Sequence, residues 1–187
     1  MVVATGAFDG ADRTLLDVVQ VKRTAAIDLI ANLIAVLGHA EVTGTLAVGM
    51  ALARLRHRRA DWWEPLGLIV VTIIEVAAKL LVPHQPPPNE LSRIAHGGPF
   101  LELTLRGGFP SGHLTRIAYL SGLFGVIPSW IRVGTVVLAA VALVYLGAHW
   151  PSDTLGGLLL GLGGVLLAGA IATRMKRGRS GDKEGAR

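Results

Sequence analysis

Apolar runs close to twenty residues long, parted by short polar breaks, constrain this chain more than any other feature. A helix of about twenty residues crosses the hydrocarbon core of a bilayer, whereas soluble strands and surface helices alternate apolar with polar positions. Residues 40–55, 66–82, 111–127, 130–148 and 153–173 read as such runs. Between Arg13 and Leu37 apolar residues recur at helical spacing, but Lys22, Arg23, Asp28 and Asn32 interrupt them. That stretch reads either as an interfacial helix or as a short first span. The expected fold class is therefore all-α, a polytopic membrane helix bundle of five or six spans. Three regions follow: an N-terminal segment over 1–39, loose up to Asp12; a membrane domain over 40–173; and a basic tail over 174–187, disordered in part.

Composition narrows the function. Half of the chain is hydrophobic (51%), and it has no cysteine, which rules out a disulfide framework and a thiolate metal site. The net charge of +5 does not point to nucleic acid, because the basic residues gather in two flanks of apolar runs, 54–59 and the tail. Residues 1–12 lack the basic start and apolar centre of a cleavable signal peptide, so the first spans are expected to direct insertion.

Between two of the runs, residues 83–110 hold Pro83, Pro86, Pro87, Pro88 and Pro99 and cannot form a membrane helix. A loop of that length in a compact domain usually carries function. Placing the basic flanks inside puts this loop, His113 and His149 on the outer face. The C-terminus is then cytoplasmic, and the cell membrane is the expected location. Trp62, Trp63 and Trp150 read as interface anchors.

The loop ends in Phe109-Pro110-Ser111-Gly112-His113, which opens the next run. Free N–H groups and the dipole at a helix start attract an anion; Gly112 permits close approach, and His113 can carry a proton near neutral pH. Further on lies His149-Trp150-Pro151-Ser152-Asp153, in which Asp153 falls in a first helical turn after Pro151. From there its carboxylate can accept a hydrogen bond from one nitrogen of His149, leaving the other free to attack. Lys79, at the outer end of its run, is an ionisable intramembrane group, and Glu75 one turn earlier offers it a simple ion-pair partner.

Together these residues resemble the type-2 phosphatidic acid phosphatase superfamily, whose pattern is Lys-x6-Arg-Pro, then Pro-Ser-Gly-His, then Ser-Arg-x5-His-x3-Asp. Lys79 and Pro87 match the ends of the first part, Pro110 to His113 the whole second part, and His149 and Asp153 the third. The resemblance covers residues 40–173. It implies a cofactor- and metal-independent phosphatase that hydrolyses a lipid phosphomonoester or diphosphate, such as phosphatidic acid, phosphatidylglycerol phosphate or polyprenyl diphosphate. His149 would form a phosphohistidine, His113 would protonate the leaving oxygen and then activate water, and Asp153 would hold His149. Lys79 and the N–H groups of Ser111 and Gly112 would bind the phosphoryl oxygens.

Two departures matter. Pro86 stands where the first motif has arginine, and Ala142-Leu143 where the third has serine and arginine. Each lost charge-assisted contact costs about 1.5–3 kcal/mol. Arg116, one turn beyond His113, is the candidate to replace one of them at the phosphate. His84, Arg93, His96 and Arg106 read as solvated loop residues, and His39 and His57 as structural or solvent-facing. The missing arginines also support a rival reading, in which a weak or inactive relative binds or carries a lipid phosphate or acts as a scaffold. Gly157 and Gly161 in the last span have small-xxx-small spacing, which favours close packing within the bundle or in a homodimer.

Overall fold

The computed structural model describes residues 6–94 and 107–184, and among them every regular element is helical. In order these are α1 (Asp9–Val19), α2 (Ala25–Val36), α3 (Ala40–Arg56), α4 (Gly67–Leu81), α5 (Gly112–Leu123), α6 (Ser129–Tyr145) and α7 (Pro151–Glu184), with single 3₁₀ turns before α4 and in the loop after it. The all-α expectation holds.

Helix ends fall where the sequence supplies the stop or start. Thr24 caps α2 by accepting the Ile27 N–H, and Ser111 caps α5 by accepting the Leu114 N–H at 3.4 Å. Pro83 follows the last residue of α4 at one remove, Pro128 precedes α6, and Pro151 opens α7. The run expected to reach residue 127 ends its helix at Leu123, because Gly125 and Pro128 break the pattern.

The centre of the bundle is α5 laid against α7. A Cβ on Gly157 would strike the Ser111 carbonyl, and one on Gly161 would lie 2.6 Å from the Thr115 carbonyl oxygen, so only glycine lets the two backbones come this close. The small-xxx-small pair is thus filled by α5 of the same chain, the packing within the bundle that its spacing favours. Around the pair, Leu114, Ile117, Ala139 and Leu143 form one buried cluster, and Ala47, Leu68, Val71, Tyr119 and Leu120 another. Outward-facing Ile69, Ile73, Leu159, Leu166 and Leu167 stay exposed, as side chains facing lipid do.

Among the described residues, α7 alone is long and apolar enough to cross a membrane, and α2 with α3, bent by 43°, passes as one broken span. With 15, 12 and 17 residues, α4, α5 and α6 are shorter than the run lengths in the sequence. Helix length by itself therefore does not reproduce five or six spans.

The N-terminal segment departs from expectation. Its first helix begins at Asp9, and Leu16 and Gln20 are fully buried. Asp12, expected in a loose terminus, is buried: its carboxylate accepts the Ser152 N–H at 2.8 Å and the Ser152 hydroxyl at 2.6 Å, at the start of α7. The Gln20 amide donates to the carbonyls of Tyr145 (2.8 Å) and Leu91 (3.0 Å). The polar interruptions of the next stretch also have partners, since Asp28 takes the Arg93 guanidinium at 2.6 and 2.7 Å and Asn32 donates to the Arg93 carbonyl. Arg93 is accordingly an anchor of the loop and not a solvated residue. At the other end, α7 runs on as helix to Glu184 where a partly disordered tail was expected.

Candidate active site

Five chain segments meet at one end of the bundle: the last turn of α4, the loop segments 82–88 and 107–111, the start of α5, and the α6–α7 turn. They bring together Lys79, His84, Ser111, Gly112, His113, Arg116, His149 and Asp153. The rings of His113 and His149 lie 6.3 Å apart between centroids, and His39 sits edge-on to His113 at 5.3 Å. Gly147, with φ of +64°, makes the turn that carries His149 back toward the bundle, a left-handed conformation that glycine adopts without strain.

The carboxylate of Asp153 is wholly buried. Its Oδ2 accepts the Trp150 N–H at 3.0 Å, while Nδ1 of His149 stands 3.6 Å away, beyond hydrogen-bond length. That nitrogen is buried and makes no hydrogen bond among the described residues. The expected bond from His149 to Asp153 is thus an approach and not a bond. Instead, Nδ1 of His84 lies 2.8 Å from Oδ1 of Asp153. His84, expected to be solvated, is buried in the site, and its backbone carbonyl accepts the Gly108 N–H at 2.7 Å. A Cβ on Gly108 would come within 3.1 Å of Asp153, so this glycine allows the loop to close over the carboxylate. Trp150 is more than an interface anchor, because its indole donates to the Gln85 carbonyl at 2.9 Å.

At the phosphate seat, Ser111 is fully buried and its N–H donates to the Asp153 carbonyl at 2.9 Å. The Ser111 N–H is therefore spent on holding α5 to α7, and not offered to a phosphoryl oxygen as expected. The Gly112 N–H has no acceptor among the described residues. Directly above Gly112 sits the Glu75 carboxylate, so close that a Cβ there would collide with it. Glu75 is buried and bridges two cations: Lys79 Nζ at 2.9 Å on one oxygen and the Arg116 guanidinium at 2.9 Å on the other. Arg116 also donates to the Gly38 carbonyl at 3.0 Å. The structure so places Arg116 beside Lys79, but tied to Glu75 and Gly38 instead of free to meet a phosphate. Sequence reasoning saw Glu75 only as a partner for Lys79.

The positions of the missing arginines are not refilled. Ala142 and Leu143 lie in the apolar core, and Pro86 lines an open cavity of about 420 Å³ beside His84, Asp12 and Trp150. His57 is exposed, and His96 and Arg106 lie outside the described residues. No group of three or more histidine or carboxylate side chains among the described residues is arranged to hold a metal ion.

The family model of the PAP2 superfamily matches residues 60–177, the stretch that contains all of these catalytic candidates. The chain belongs to the PAP2 superfamily. The resemblance read from Lys79, the Pro-Ser-Gly-His turn, His149 and Asp153 is borne out. Over 113 residues it is 36% identical to YbjG of Escherichia coli (strain K12), provisionally named an undecaprenyl-diphosphatase. That alignment covers 57% of this chain and 54% of the relative, so the chain spans about half the length of the curated relative it matches. Its fold matches the crystal structure of a transmembrane PAP2-type phosphatidylglycerolphosphate phosphatase from Bacillus subtilis, with a TM-score of 0.76 over 94% of this chain and 93% of that one, at 21% identity. It also matches Aquifex aeolicus LpxE, with a TM-score of 0.63 over 83% and 92% of the two chains, again at 21% identity. The helix bundle expected from the apolar runs is thus the fold of the transmembrane phosphatase from Bacillus subtilis.

Proposed function

We propose that this PAP2 protein is a phosphatase that removes phosphate from a lipid phosphomonoester or diphosphate through a phosphohistidine on His149. The observation that carries this reading is the meeting of two imidazoles, His113 and His149, at the N-terminus of α5 with Asp153 behind them. A site that only bound a lipid phosphate would need neither a nucleophile nor a carboxylate to orient it. The ring nitrogen of His149 turned away from Asp153 attacks phosphorus. His113 protonates the departing oxygen and then takes a proton from the water that releases phosphate. Charge on the equatorial oxygens is met by Lys79, by the Gly112 N–H and by the dipole of α5, the kind of fixed electrostatic stabilisation on which phosphoryl transfer mostly depends.

The name of the E. coli relative adds undecaprenyl diphosphate to the polyprenyl diphosphates on the substrate list. Purified protein in detergent, given a panel of phosphatidic acid, phosphatidylglycerol phosphate and undecaprenyl diphosphate, is expected to release phosphate from at least one of them with chelator present. No release from any lipid by folded protein would transfer the conclusion to the binding or scaffold reading, which the missing arginines and the Glu75 carboxylate over the seat favour.

An outward-facing site at the cell membrane follows from the basic flanks. A tag placed after Arg187 is expected to be shielded in intact cells, and one inserted in the 83–110 loop to be accessible. The opposite labelling pattern would invert the topology.

A further inference from the structure

We propose that His84 is a positioning residue for the nucleophile: it holds one oxygen of Asp153 so that the other faces His149. This rests on the phosphatase reading and adds to it a residue at one of the unspecified positions between Lys79 and Pro86 in the first motif. The contact itself is direct, 2.8 Å between His84 Nδ1 and Asp153 Oδ1, and both residues are buried. The carboxylate is fixed from both sides, because its Oδ2 takes the Trp150 N–H at 3.0 Å and lies 3.6 Å from Nδ1 of His149. A carboxylate held at only one oxygen can swing about its Cβ–Cγ bond; with the second oxygen held by an imidazole N–H it cannot.

The loop that carries His84 is itself tied down. Its backbone carbonyl accepts the Gly108 N–H, its ring packs edge-on against Phe109 at 6.4 Å, and the neighbouring Gln85 carbonyl takes the Trp150 indole. These ties run from the 82–88 segment to both motif-bearing segments, so the position of His84 follows the position of the Pro-Ser-Gly-His turn. Asp9 and Asp12 of α1 line the same cavity as His84, while Lys79 and Arg116 are engaged by Glu75. None of them makes a hydrogen bond to Asp153 among the described residues, which leaves His84 as its one charge-capable partner within bonding distance. An ionised carboxylate can only accept, so His84 donates to Asp153 through Nδ1–H.

Two variants test the role. His84→Ala removes the donor, and His84→Asn puts a carboxamide N–H close to where Nδ1 was. Misplacing a reacting group by about an ångström can cost about a hundredfold in rate. His84→Ala is accordingly expected to lower kcat ten- to a hundredfold while KM stays within about threefold, and His84→Asn to recover most of the loss. In histidine-labelled protein the His149 ring signals are expected to shift in His84→Ala and return in His84→Asn, with those of exposed His57 unmoved. Unchanged kcat and unchanged His149 signals in His84→Ala would overturn the proposal. So would equal losses in both variants together with a raised KM and a lowered melting temperature, the mark of a purely structural residue. The ring signals need no turnover, so they decide the role of His84 even if the unaltered protein releases no phosphate, a result that would instead strike the phosphatase reading.

Discussion

His149→Ala is expected to lower phosphate release by more than about a thousandfold, to the rate of a protein-free control. The size follows from the chemistry: removing the nucleophile of a covalent mechanism leaves only transition-state binding, and the other members of the group cannot substitute for it. His113 is the nearest alternative, its ring centroid 6.3 Å from that of His149, yet it lies at the start of α5 in the place of the acid that protonates the leaving oxygen. Acid-labile phosphate on the unaltered protein during turnover, absent from His149→Ala, would show the intermediate directly. Release that persists in the variant at more than about a hundredth of the normal rate would place the nucleophile elsewhere and remove the phosphohistidine from the scheme.

The second large effect belongs to Glu75, and it concerns stability as much as catalysis. Its carboxylate holds Lys79 and Arg116 together in a site where the three side chains are 4%, 15% and 12% exposed. Removing one partner of a buried ion pair leaves an uncompensated charge and costs about 3–5 kcal/mol. For a chain of this size, about 2–4 °C of melting temperature goes with each kcal/mol, so Glu75→Ala is expected to melt about 10 °C lower in detergent. Lys79 and Arg116 would also lose the anchor that sets them beside Gly112, and phosphate release would fall with them. A milder drop is expected for Glu75→Gln, which keeps the shape and one acceptor oxygen. A Glu75→Ala melting curve that overlays that of the unaltered protein would mean that solvent already screens the three charges, and the triad would lose its structural role.

The same triad shows what replaces the two family arginines, and what does not. Among the described residues no cation lines the cavity at Pro86 or the core at Ala142-Leu143, and Arg116 reaches the neighbourhood of the phosphate seat through Glu75. Lys79 and Arg116 both approach the seat through the Glu75 carboxylate that lies over Gly112. Such a site leans on the helix dipole and on precise placement of its histidines more than on charge. That raises the importance of whatever orients Asp153.

The chain's local chemistry was enough to determine its helices and its motifs. Apolar runs between prolines, glycines and capping hydroxyls mark α3 to α6 and the start of α7 to within a few residues, because helix period and helix ends depend on neighbours in sequence. Lys79, Pro110 to His113, His149 and Asp153 were legible for a related reason: a motif is a fixed spacing, and a spacing can be read without a fold. Tertiary structure alone decided the partners. Asp12 caps a helix start 140 residues away, and His84 bonds a carboxylate 69 residues away. Neither contact leaves a period or a spacing in the sequence, so both residues look like ordinary polar positions in loose segments. The close approach of α5 and α7 lies between these cases. Gly157 and Gly161 announce that some backbone comes near, but only the packed bundle shows that it belongs to the same chain and carries the catalytic turn. Long-range hydrogen bonds are set by where helices dock, and docking depends on shape and burial summed over the whole bundle rather than on any one stretch of it.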